Sequence, residues 1–155
     1  MSPVNEMIPW VEDADRIPCQ ANGGAVVGKR FVIPNNARLS GPMIPATAQV
    51  GASDPTDGGR IQAGPAAANG PAIGVASWDA AAGEGFTAVR EGILPVTADG
   101  AITAGDRIIV GAAGKAKSFN GVVITSGADY APPVVVGIAA DSAVDAADAQ
   151  ILLTI

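Results

Sequence analysis

Apolar residues fall along this chain in short runs, at positions 26–27, 31–33, 73–76, 86–89, 93–96, 108–110, 122–124, 134–140 and 150–155. The runs are too short for globular helices and too regularly spaced for loops. Gly, Pro and Asp-Gly punctuate them: Asn22-Gly23, Pro34, Asp99-Gly100, Ala113-Gly114 and Asn120-Gly121. Turn chemistry every roughly 8–12 residues predicts an all-β fold, a small closed or partly open β-barrel or β-sandwich. The stretch 72–110 organises it, with everything after reading as a second half. Val75, Trp78, Ile93, Leu94, Ile108 and Val110 are the expected core. Lys115 and Lys117 sit on a short alternating strand ending near Phe119, and Tyr130 to Pro133 makes a rigid corner. The last strands are expected at 134–140 and 150–155, which puts Ile155 inside a sheet.

Two segments recur in the same order. Gly24-Ala25-Val26-Val27-Gly28-Lys29-Arg30-Phe31-Val32-Ile33 resembles Gly100-Ala101-Ile102-Thr103-Ala104-Gly105-Asp106-Arg107-Ile108-Ile109, read with one extra residue before the inner Gly of the second copy. Ile73-Gly74-Val75-Ala76-Ser77-Trp78-Asp79 resembles Val136-Gly137-Ile138-Ala139-Ala140-Asp141. Each then leads through an Ala/Asp/Gly loop into a strand, at 86–90 and 150–155. Two related β units predict an internal pseudo-repeat within a pseudo-symmetric closed barrel, since closure removes free strand edges. The bland alternative is chance similarity in a Gly/Ala/Val-rich chain.

Two stretches break the pattern. Residues 1–19 read as an extended, acidic, proline-punctuated arm ahead of a barrel domain at 20–155. Pro3, Pro9 and Pro18 prevent a long helix there, and Trp10 beside Ile8, Pro9 and Val11 is a costly exposure unless a partner covers it. Residues 35–71 form an irregular insertion. A long connection without regular structure is functional or mobile, and Leu39, Met43 and Ile44 are its candidate partner contacts.

Composition narrows the function. The chain has 155 residues, 48% of them apolar, only 15% charged and 4% aromatic, with 20 Gly and 12 Pro. Average domains are about 25% charged, so a weakly charged surface suits a protein that hides area against a partner. The net charge of −6 argues against nucleic acid or an anionic membrane as partner. With no histidine and one cysteine, Ser-His-Asp and Cys-His catalysis, His-ligated metal, zinc clusters and intrachain disulfides are all absent. Cys19 reads as a small apolar filler. The first six residues lack the basic and apolar regions of a signal peptide, and no apolar run approaches the ~18 residues that span a bilayer. Gly58-Gly59 lacks the Lys-Ser/Thr and the strand–loop–helix context of a phosphate loop.

The same residues resemble a family of tailed-phage virion proteins, the capsid decoration or cement proteins, once filed as a domain of unknown function. The likeness runs from about Gln20 onward: Ile73 to Gly85, Gly92 to Val96, Ile102 to Val110, Val136 to Ala139, and Gln150 to Ile155. Individual motifs are mostly Gly, Ala, Val and Asp, and their order and spacing carry the match. The departures are Lys29 after Gly28, where the pattern puts Asp, the long connection at 35–71, and the arm, which has no counterpart. The resemblance implies a structural protein on the outer surface of a phage head, made in the host cytoplasm. It would stabilise the shell by bridging neighbouring major capsid subunits. It also implies association with copies of itself as a homotrimer, with no catalysis and no cofactor.

Two other readings fit parts of the sequence. A small β-barrel enzyme could use carboxylate pairs, Asp141 with Asp145 or Glu12 with Asp13, but cleft chemistry of the glycosidase kind wants facing carboxyls and six aromatics leave few platforms. A carrier module of lipoyl or biotinyl type is hinted at by Ala104-Gly105-Asp106, but no lysine sits beside a Met at a hairpin tip.

Overall fold

The computed structural model describes residues 16–35, 61–120 and 133–155. These form ten strands: β1 (Arg16–Ala21), β2 (Phe31–Pro34), β3 (Ile61–Pro65), β4 (Gly74–Ala76), β5 (Gly85–Val89), β6 (Ile93–Thr97), β7 (Arg107–Val110), β8 (Ala116–Ser118), β9 (Val135–Ala139) and β10 (Asp148–Leu153). A 3-10 turn at Ala112–Gly114 leads into β8. The fold is all-β, as the spacing of apolar runs predicts. Among the described residues no helix is long and apolar enough to cross a membrane.

The first five strands close into a barrel in the order β1-β3-β2-β4-β5, and the last five form a sheet in the order β6-β10-β9-β7-β8. The internal repeat is real, and each half builds its own sheet rather than pooling strands into one barrel. The pairings correspond throughout. Antiparallel β1·β5, β2·β3, β2·β4 and β4·β5 match β6·β10, β7·β8, β7·β9 and β9·β10. The parallel β1·β3 ladder is matched by one parallel bridge, Ala98 to Ala116, which brings the second sheet round on itself. Loop contacts repeat as well. Val26 and Ala80 exchange both backbone hydrogen bonds, and so do Ile102 and Ala143.

The register makes Phe31 equivalent to Arg107, Val32 to Ile108, Val75 to Ile138 and Val89 to Leu152. It removes the extra residue expected in the second copy. Lys29 stands opposite Gly105, and their amides donate to Ala76 and Ala139 respectively. Both adopt positive φ, 58° and 89°. The turn requires this left-handed conformation, and glycine meets it without the strain a lysine carries. Gly74 and Gly137 are likewise equivalent. A Cβ at either would lie 2.7 Å from the Val89 carbonyl oxygen or 2.5 Å from that of Leu152. Glycine in a strand marks such close backbone approach.

Strand alternation gives each half an inner face. In the barrel it is Cys19, Ala21, Val26, Val32, Ala63, Ala76, Ala80, Phe86 and Ala88. Five strands enclose a narrow space, which small side chains fill; this is where much of the alanine goes. The second sheet encloses Leu94, Val96, Ile102, Ile108, Val110, Val136 and Ile151. Phe31, Val75 and Val89, on the outer side of the barrel, join this second cluster. The two halves therefore share a core. Polar links cross the junction too: Thr97 N–H donates to the Lys29 carbonyl, Asn69 N–H to the Val110 carbonyl, and Lys29 Nζ meets Asp148 Oδ2 at 2.7 Å.

Some expectations shift. Residues 16–19, read as the end of the arm, are the first four of β1. Residues 61–65, read as part of the irregular insertion, are β3. Leu94, Val75, Ile108 and Val110 are fully buried. Trp78 is half-buried against the barrel core. Ile93 is not core: alternation along β6 turns it outward and Leu94 inward. The last strand ends at Leu153, with Thr154 N–H still bonded to the Val136 carbonyl.

Candidate docking face

On the outer side of each half, one residue from each of four strands lines up in direct cross-strand register. In the barrel the row is Arg16–Val89–Val75–Phe31. In the second sheet it is Ile93–Leu152–Ile138–Arg107. Each row is three apolar residues and one arginine, with the arginine at opposite ends. Their environments differ. Val89, Val75 and Phe31 are 1%, 0% and 0% exposed beneath the second half, whereas Leu152 and Ile138 are 43% and 42% exposed. The register shift between Ile108 and Ile109 opposite β9 lets Val135 and Ile138 both face outward despite their odd spacing. Val134 and Val135 are exposed as well. Directly opposed side chains lie roughly 4.5–5.5 Å apart, so the row is continuous apolar surface.

Beside the row is a hollow of about 300 Å³ lined by Ile93, Ala140, Asp141 and Gln150. Equivalence of Ala140 with Ser77, each donating its amide to the neighbouring strand, places Asp141 where the barrel has Trp78. Gln150 lines the hollow, but its Oε1 is enclosed by the chain itself and has no hydrogen-bond donor. Such an orphan acceptor is costly unless something supplies a proton to it. At the far end of the row Arg107 is exposed, and no ion pair of its guanidinium is among those of the described residues.

The candidate chemistry reads otherwise. Asp141 Oδ1 accepts the Gln150 amide at 2.7 Å and Asp145 Oδ1 accepts the Gly100 amide at 2.8 Å. These two acids brace backbone, as does Asp106, whose Oδ2 accepts the Thr103 amide at 2.9 Å and closes the turn that resembles a carrier hairpin. Hydrogen bonds from Thr103, Ser118 and Asn120 hold the Asp106 carboxyl below its ordinary range. Cys19 is buried on β1, and burial pushes its thiol up to about 11, partly offset by a backbone hydrogen bond at Ala88. Among the described residues no group of three or more His, Cys, Asp or Glu could hold a metal ion.

The partner contacts read from the sequence, Ile8, Pro9, Trp10 and Val11 in the arm and Leu39, Met43 and Ile44 in the connection, lie outside the described residues. The exposed row was missed. Aligning the two halves position by position was the signal that could have found it, because Phe31 becomes Arg107 and the covered valines become larger, uncovered Ile138 and Leu152.

The family profile of the phage cement proteins matches residues 11–155, which takes in both halves. The chain belongs to the phage cement protein family. This makes it a structural protein of the phage head, located at the capsid surface. None of the curated proteins matches it in sequence. Among solved structures, the cement protein is similar to the N base of head fiber gp8.5 of bacteriophage phi29. The TM-score is 0.60 and the identity 17%, over 96% of this chain and 94% of that one. At that identity the likeness is one of fold. Because it spans nearly both chains, it covers the two-sheet arrangement and not one sheet alone.

Proposed function

We propose that the protein binds the outer surface of a phage head and stabilises it by bridging neighbouring major capsid subunits, acting as a homotrimer. The single observation that carries this reading is the family match across residues 11–155. The physical make-up supports it. Clamping a shell needs area and shape rather than reactive groups, and the candidate acids of the described chain are engaged in holding turns. The arm, with Ile8, Pro9, Trp10 and Val11, and the connection, with Leu39, Met43 and Ile44, are the proposed shell contacts. Proline-stiffened segments lose less conformational entropy on docking than Gly/Ser ones. Several copies at a symmetric junction multiply weak single contacts.

The test is co-sedimentation with expanded heads. Binding saturates at a fixed ratio of chains to capsid subunits and raises the temperature at which heads rupture. Deleting residues 1–15, which leaves β1 intact, weakens binding while the isolated protein melts unchanged. Heads that neither bind the protein nor gain stability from it would refute the reading.

A further inference from the structure

We infer that the outer face of the second sheet, centred on Ile138 and Leu152 with Ile93 and Arg107 at its ends, is the surface through which one copy of this chain meets another. The inference gives the self-association in the reading above a surface, and rests on that reading only for the claim that copies associate.

The first half supplies the argument. Its equivalent row, Val89–Val75–Phe31, is the same kind of surface at the same register, and it is covered completely by a sheet of the same architecture. The second row keeps that apolar character where nothing in the described chain covers it. Single exposed hydrophobics are ordinary, but a cross-strand row flanked by exposed Val134 and Val135 is a contiguous patch, which marks an interaction site. The ends of the row are complementary. Arg107 projects from the β7 side, while the β6–β10 side holds the hollow lined by Asp141. When copies turn these rows toward a common axis, Arg107 of each reaches the hollow of the next, a head-to-tail contact that closes into a ring as the proposed trimer requires. There the guanidinium meets the Asp141 carboxylate. A capsid surface of unrelated shape has no reason to match this self-complementary order, which favours a second copy as the occupant.

Sedimentation of the purified full chain without heads tests this. At concentrations on the order of tens of micromolar the wild type runs as a multimer. Ile138→Glu with Leu152→Lys, which keeps an attractive cross-strand pair, runs as a monomer with an unchanged melting curve. Arg107→Glu weakens association about tenfold or more. Val144→Lys, at the most exposed large hydrophobic residue among the described ones, leaves it intact. Should the double variant misfold, Leu152→Cys gives the readout instead, since its thiol links copies covalently under mild oxidation while Cys19 stays buried. A monomeric wild type, a double variant as multimeric as the parent, an equal effect of Val144→Lys, or a Leu152→Cys multimer that does not cross-link would each overturn the inference. So would a double variant that stays multimeric but no longer binds heads, which assigns the face to the shell. A wild type that associates through this face yet ignores heads would sink the head-binding reading and leave this one standing.

Discussion

Phe31→Ala is the sharpest perturbation of the shared core. Phe31 belongs to β2 of the barrel, is 0% exposed, and packs in the cluster of the second sheet. Its backbone carbonyl also accepts the Ala66 amide, so the strand around it is held and cannot collapse freely into the space left behind. Truncating a buried Phe costs about 3–5 kcal/mol, the upper part of that range applying where the site relaxes least. Against a domain stability of about 5–15 kcal/mol this is a large fraction. For a chain of this size it corresponds to a fall in melting temperature of about 6–20 °C. The ion pair across the same junction, Lys29 with Asp148, is partly exposed at 20% and 35%, and such pairs contribute about 0.2–1 kcal/mol. Lys29→Met should therefore cost several-fold less than Phe31→Ala and lose its effect in high salt. Differential scanning calorimetry and urea titration measure both. Wild type should melt in one transition with matching calorimetric and van't Hoff enthalpies, because the two halves share a core. A Phe31→Ala loss below about 1 kcal/mol, or two separate wild-type transitions, would refute the shared-core argument.

Further outcomes follow from single positions. Gly74→Ala and Gly137→Ala each force a Cβ against a partner-strand carbonyl and should lower stability by about 1–3 kcal/mol in urea titrations. Cys19 should resist thiol reagents at pH 8 until the protein is unfolded. Its thiol is raised from 9.0 to about 11 on folding, so above pH 9 the unfolded chain has released a proton that the folded chain keeps. Stability should then decline between pH 9 and about 11, and Cys19→Ala should flatten that decline. Asp106 behaves oppositely. Its folded value lies below 3.8, so its support is present above that pH and lost as pH falls through the depressed value; protection of the Thr103 amide, taken relative to its intrinsic exchange rate at each pH, should fall on acidification, and at neutral pH in Asp106→Asn.

The repeat was legible because its turns carry distinctive residues and its apolar runs keep their order. What escaped was the third matching segment. Ile17-Pro18 of β1 and Leu94-Pro95 of β6 are equivalent, but proline argues against a strand interior, and residues 16–19 therefore read as arm. The structure resolves the conflict. At Pro18 the β3 ladder has not yet begun, starting only at Cys19, and at Pro95 the opposite neighbour is bridged only later, at Ala98. Each proline sits where its strand is paired on one side, so no donor is missed. The docking face escaped for a different reason. A short apolar run such as 93–96 does not say which of its two sides is covered, because covering depends on how the halves stack, and that is set by distant pairs such as Phe31 with the second core. Lys29 misled the alignment because a lysine does the conformational work of a glycine.

The two rows also give the molecule an arrest point. Duplicated units that each present the same adhesive side tend to string together without limit. Here one of the two sides is consumed within the chain, beneath the second sheet, and a single open one is left among the described residues. A particle with one such side closes into a finite cluster instead of growing into a fibre.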